Sequence, residues 1–181
     1  PAYLNHPIVG VTKEQAESYC QWRTDRVNEY IFYKVTKNKP HPDSVYKIPS
    51  YYIYKLPSIQ EFETAASFGN KKSTDKKIEK GKIMPGNFAQ SRDLLMQEAV
   101  TYTTSVWRFT PNRKKFYNLY GNVTEMTSTK GKAFGGSFRT NYFLVNPQYL
   151  EDYNYISNTL GFRCVAVKQA LPIPSYGEEK K

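Results

Sequence analysis

Thiols are scarce in this chain, with Cys20 and Cys164 the only two among 181 residues. Two cysteines so far apart exclude the short-spaced Cys and Cys/His patterns that hold structural zinc. They leave three readings open: a disulfide, two inert buried thiols, or a redox couple. Histidine is equally sparse. His6 lies beside Pro7 and His41 between Pro40 and Pro42, too few ligands for an imidazole metal centre, so both read as loop residues. No run approaches the roughly 20 apolar residues of a membrane span, and no charged-then-apolar leader opens the chain. Because the first residue is Pro1 and not Met, the expectation is a processed or partial chain, whose lack of a leader says nothing about export.

Acid is in deficit, with 16 Asp and Glu against 26 Lys and Arg, a net charge of +10. Part of the excess is packed into residues 71–82, which hold Asp75 and Glu79 but no aromatic residue on which a nucleic-acid base could stack. That segment reads as a solvated, mobile loop. Arg108 and Arg113-Lys114-Lys115 have more aromatic company, in Trp107, Phe109 and Phe116, but no nucleic-acid module accompanies them, and no nucleic-acid partner is expected. What the chain has in abundance is aromatic surface: sixteen Tyr and ten Phe supply apolar area, even though the mean hydropathy is −0.68. Its length suits one globular body that buries roughly two-thirds of the unfolded surface.

Thr12, with Gln15 three positions on, forms a capping box that opens a helix predicted from Lys13 to about Tyr33. Its core stripe is expected at Ala16, Tyr19, Cys20, Val27 and Ile31. Ser58 and Glu61 form a second box, with Phe62, Ala65 and Ala66 on the buried side and Gly69 at the end. Residues 37–50, with Pro40, Pro42 and Pro49, read as an irregular connection, and no further helix is expected after Gly69. From Tyr102 on, short runs such as Thr103–Trp107, Lys132–Phe138 and Phe162–Lys168 suggest short strands between long ordered loops. Gly135-Gly136 lacks the helix signal and the Lys of a phosphate loop. The expectation is an α+β domain with little regular sheet.

Six blocks in order carry the identity: residues 7–12 (PIVGVT), 16–22 (AESYCQW), 55–66 (KLPSIQEFETAA), 116–126 (FYNLYGNVTEM), 134–138 (FGGSF) and 160–164 (LGFRC). Together they resemble the formylglycine-generating enzyme, or sulfatase-modifying factor, family. The chain departs from it at Phe62, Thr124 and Met126, where Trp is usual, and at Phe134, where Arg is usual. The resemblance implies a modified C-type-lectin-like fold with low regular secondary structure. It also implies that residues 1–170 are the C-terminal portion of such a domain, followed by a polar tail over 171–181, and that the missing N-terminal part must be supplied from elsewhere.

In that family a disulfide joins the helix carrying Tyr-Cys-x-Trp to the closing Gly-Phe-Arg-Cys strand, which implies a Cys20–Cys164 bond. Such a bond is worth up to roughly 4 to 5 kcal/mol by chain entropy and places the chain in an oxidising compartment, the periplasm or cell surface. Formylglycine formation requires a thiolate pair for Cu(I) just after the Gly-Gly-Ser block. Residues 139–149 contain no Cys, so no copper and no such catalysis are expected. The family's calcium pattern maps onto Asn118, the carbonyls of Gly121 and Val123, and Glu125, oxygen donors that suit Ca²⁺. A second family site would begin at Asn87 and Phe88.

Trp22-Arg23-Thr24-Asp25-Arg26-Val27-Asn28-Glu29 further resembles a segment of the gliding-motility lipoproteins of the K and J type, which serve type IX secretion. That resemblance implies a non-catalytic scaffold, associated with the outer membrane through a lipid anchor outside this chain and assembled with other protein subunits. Read from the residues alone, Arg23, Asp25, Arg26 and Glu29 form a salt-bridged helix face. A lectin-like module binding glycan or polyanion through Tyr142, Tyr149, Tyr153 and Tyr155 is the alternative. An active oxidase would require copper ligands from the missing portion.

Overall fold

In the computed structural model of the chain, the structure describes residues 3–37, 48–79, 86–89 and 102–170. Helix α1 runs Lys13–Thr36 and opens on the expected box: the Thr12 hydroxyl accepts the Gln15 N–H at 3.2 Å, and the Gln15 side chain accepts the Thr12 N–H at 2.9 Å. It ends one turn later than the sequence suggests, where Lys37 turns left-handed (φ 62°) and donates its N–H to the Tyr33 carbonyl. Strand β1 (Tyr52–Lys55) leads into α2 (Ile59–Ser67), whose Ser58–Glu61 box is likewise formed.

A third helix, α3 (Lys72–Glu79), stands where a loop is expected. The segment has one apolar residue and so no core signal, but Lys and Glu are good helix formers and Asp75 sits favourably in the first turn. The strands that follow are short: β2 (Thr124–Met126), β3 (Lys132–Phe134), β4 (Leu150–Asp152), β5 (Leu160–Gly161) and β6 (Val165–Lys168). Thr103–Trp107 forms no strand. Two sheets result, a four-stranded one in the order β4-β3-β2-β5 and an antiparallel pair of β1 with β6. This is the α+β architecture with little regular sheet. His41 and the tail over 171–181 lie outside the described residues.

The core forms in two adjoining clusters. Ala16 and Cys20 of α1 meet Leu56, Met126, Ala133 and Leu160, while Phe62 of α2 meets Leu119 and Phe134. Phe62 and Phe134 stack with centroids 4.8 Å apart, so an aromatic pair fills the space between α2 and β3. The buried stripe of α1 departs from expectation after Cys20. It continues through Thr24 and Asn28, whereas Tyr19 is partly exposed and Val27 and Ile31 are only half-buried. The reason is that α1 packs on the backbone of β1. Thr24 Oγ1 accepts the Tyr54 N–H at 2.8 Å and donates to the Cys20 carbonyl at 2.9 Å, so polar side chains are required there.

Two glycines are demanded by close approach. Gly135 (φ +94°) packs its α-carbon against the Leu119 carbonyl, leaving no room for a Cβ. A Cβ at Gly121 (φ +75°) would lie 2.6 Å from the Asn87 carbonyl oxygen.

Candidate functional site

The loop from Phe116 to Val123 and the residues just after β5 build the charged centre of the domain. Arg163 leaves β5 and reaches back to β2, where its Nε and Nη2 donate to both oxygens of Glu125, the latter at 2.6 Å. Nη2 also donates to the carbonyls of Tyr117 and Asn118, each at 3.1 Å. Burial works against the guanidinium charge, but the Glu125 carboxylate outweighs it, and the Arg163 pKa is held above its usual value. The positive left-handed φ values of Asn118 (44°), Gly121 (75°) and Asn122 (66°) curl the loop around this point.

The residues expected to hold calcium are thus adjacent, but their charge is already matched from within the chain. Both Glu125 oxygens are taken by Arg163, and the Asn118 carbonyl turns to the same guanidinium. Asn118 Nδ2 donates to the Val106 carbonyl at 2.9 Å, and its Oδ1 is buried without a hydrogen-bond partner. A divalent ion bound through Glu125 would have to displace a guanidinium, so the residues as arranged do not fit calcium. Among the described residues no group of three His, Cys, Asp or Glu side chains stands ready for a metal. Asn87 serves the loop instead: its Nδ2 donates to the Tyr102 carbonyl at 2.8 Å and its carbonyl accepts the Asn122 N–H at 2.7 Å.

Cys20 and Cys164 are brought together as thiols, with their sulphurs 3.2 Å apart. The implied bond is therefore not formed in this structure, since a covalent S–S pair stands at about 2.05 Å. Burial, reinforced by the neighbouring thiol, pushes the Cys20 pKa up to about 12. Burial raises Cys164 as well, so both are protonated and weakly nucleophilic at neutral pH.

The stretch after Gly135-Gly136 holds an oxygen-rich cluster that the sequence reading missed. The carboxylate of Glu151 on β4 accepts from the Thr140 hydroxyl at 2.8 Å, the Thr124 hydroxyl at 2.8 Å and the Tyr149 hydroxyl at 3.0 Å. Thr140 Oγ1 in turn accepts the Ser137 N–H at 2.9 Å. Burial, with Glu151 next to it, pushes the Tyr149 pKa up to about 12. Tyr149 stands just before β4 and Glu151 within it, and a strand this short offers no periodic signal that could have found the pair.

The four tyrosines of the lectin-like alternative do not form one platform. Tyr149 is turned onto Glu151, Tyr153 packs against the core with its hydroxyl buried, Tyr142 leans on Phe88, and Tyr155 alone is largely exposed. In the Trp22–Glu29 segment, Arg26 pairs with Glu29 at 2.7 Å, while Thr24 and Asn28 face inward to β1. The fold itself therefore accounts for Thr24 and Asn28.

Comparison with solved structures gives three similar folds. CarF superposes with a TM-score of 0.60 at 19% identity, over 92% of this chain and 69% of its own. PvdO from Pseudomonas aeruginosa gives 0.54 at 14% identity, over 91% of this chain and 63% of its own. Treponema denticola variable protein 1 gives 0.55 at 15%, over 91% and 72%. No curated protein matches the sequence. The model of the sulfatase-modifying factor enzyme 1-like domain matches residues 1–168. With nearly the whole chain matched in sequence and the same fold in these three structures, this chain belongs to the sulfatase-modifying factor enzyme 1-like family.

Proposed function

We propose that this chain is a catalytically silent member of the family, a scaffold subunit that assembles with other proteins at the outer membrane in gliding motility or type IX secretion. One observation carries the catalytic half of that reading. Where copper chemistry needs two thiolates, residues 139–149 have none, and Thr140 is bound to Glu151 in a satisfied oxygen cluster. The only two thiols of the chain, Cys20 and Cys164, meet each other against Met126 and Leu160, not in this stretch.

The assembly half rests on exposed apolar surface. Tyr3, Leu4 and Ile8 near the start of the chain are more than half exposed, as is Trp22 on α1. Exposed apolar side chains of this size suit a contact surface. The partners are the upstream part of the domain and further subunits, the location is the periplasm or cell surface, and the membrane is reached through a lipid anchor outside these residues.

The test is co-expression of the chain with its native upstream segment and capture of what co-purifies. A discrete complex that fails to convert a sulfatase-type Cys peptide to formylglycine with copper and oxygen present supports the reading. Turnover by that complex overturns the silent assignment, and a monomer with no partner overturns the scaffold assignment.

A further inference from the structure

We propose that the cleft between α2, α3 and the loop after Tyr142 binds an organic ammonium ion carried on an apolar stem. This site is distinct in chemistry from the copper site of the family and holds whether or not the scaffold reading does. The cleft encloses about 360 Å³, at the lower end of the usual range for small-molecule pockets. Its wall is unusually aromatic: Phe88, Phe109, Phe116, Tyr120 and Tyr142 all line it. Rings around a partly desolvated cavity attract a cation through their quadrupoles.

Three of the residues that line the cleft carry oxygens that favour a donor of positive charge. Asp75 of α3 is its carboxylate, and no ion pair engages it among the described residues. Asn118 Oδ1 and the Tyr120 hydroxyl are buried and without hydrogen-bond partners. Asn118 has committed its amide nitrogen to the Val106 carbonyl, so its free atom can only accept. Burial pushes the Tyr120 pKa up to about 12, which keeps its hydroxyl neutral and able to accept as well. Orphaned buried oxygens cost stability until a donor arrives, and an ammonium group supplies three N–H donors with the charge that Asp75 lacks. A carboxylate or phosphate ligand would meet Asp75 with like charge. The same ammonium chemistry is offered by a free amine and by a lysine side chain.

Calorimetric titration of the full chain with 2-phenylethylammonium, with Nα-acetyl-lysine methylamide and with neutral 2-phenylethanol tests the proposal. Saturable binding of at least one ammonium probe, with the alcohol at least tenfold weaker, is expected; which ammonium binds more tightly distinguishes the free-amine from the side-chain source. Asp75→Asn should weaken the ammonium about tenfold and leave the melting temperature unchanged, and Tyr120→Phe should weaken it less. No binding by either ammonium, equal binding of the alcohol, or full affinity in Asp75→Asn overturns it.

Discussion

Asn28 does for Tyr52 what a neighbouring strand would do. From the middle of α1 its Oδ1 accepts the Tyr52 N–H at 2.9 Å and its Nδ2 donates to the Tyr52 carbonyl at 2.8 Å, while the Tyr51 N–H binds the same oxygen at 2.9 Å. The edge of β1 that β6 does not cover is thereby closed by a helix side chain. Replacement by Leu, similar in volume, leaves these backbone groups without partners. Asn28→Leu should cost about 3 kcal/mol, or roughly 6 to 12 °C in Tm, in thermal unfolding. A loss below 1 °C would remove the closure from any role in stability.

The Glu125–Arg163 pair makes a sharper statement about metal. In the wild-type chain, treated with chelator and shown to be metal-free, added calcium should leave Tm unchanged. Arg163→Ala should destabilise by about 3 to 5 kcal/mol, because a carboxylate is left buried and uncompensated. In that variant calcium should recover part of the loss by binding the folded state. A rise in wild-type Tm with calcium would restore the metal site expected at Asn118, Gly121, Val123 and Glu125.

The two thiols yield a pH dependence with a fixed sign. Burial raises the Cys20 pKa from its ordinary value to about 12 in the fold. A raised folded pKa contributes stability that is fully present below pH 9 and is lost as pH climbs towards 12. The reduced protein should therefore lose stability over that window faster than the oxidised protein, in which neither sulphur can ionise. Tyr120 and Tyr149 shift alike in both forms and cancel in the difference. Intact mass after alkylation identifies the state of each sample, and two freely alkylated cysteines in the native, unreduced protein would remove the Cys20–Cys164 bond that the resemblance implies, together with the argument for an oxidising compartment.

Gly135→Ala should be among the most damaging single changes. Its left-handed φ and the Leu119 carbonyl both oppose a Cβ, and the expected cost is about 3 kcal/mol or more in denaturant unfolding. Wild-type stability in this variant would mean that the loop beneath β3 moves aside freely.

The two capping boxes were legible because they are local: four consecutive residues state where a helix begins. The Phe62 face of α2 was legible through its period. The polar half of the α1 stripe was not, since Thr24 and Asn28 answer to β1, which lies 24 residues or more further along the chain, and periodicity weighs only apolar content. β1 itself and β4 are too short to alternate visibly. Helix α3 was missed because it has almost no apolar side to show. At the candidate site, resemblance pointed to Asn118, Gly121 and Val123 on one loop and Glu125 on the strand that follows, but a pattern of oxygen donors does not reveal which cation answers them. Arg163 lies 38 residues beyond Glu125, and only the fold brings it there.

The pairing of β1 with β6 and the meeting of Cys20 with Cys164, 144 residues apart, have a consequence for biosynthesis. The first helix is made early, yet the strand and thiol that complete its surroundings are among the last described residues to be translated. A nascent chain halted before residue 160 would carry α1 with Cys20 uncovered and β1 with its β6-facing edge open, surfaces that chaperones and proteases recognise. Premature stops anywhere in the second half should be cleared as unfolded chains, and thiol oxidation can only follow release of the finished C-terminal strand.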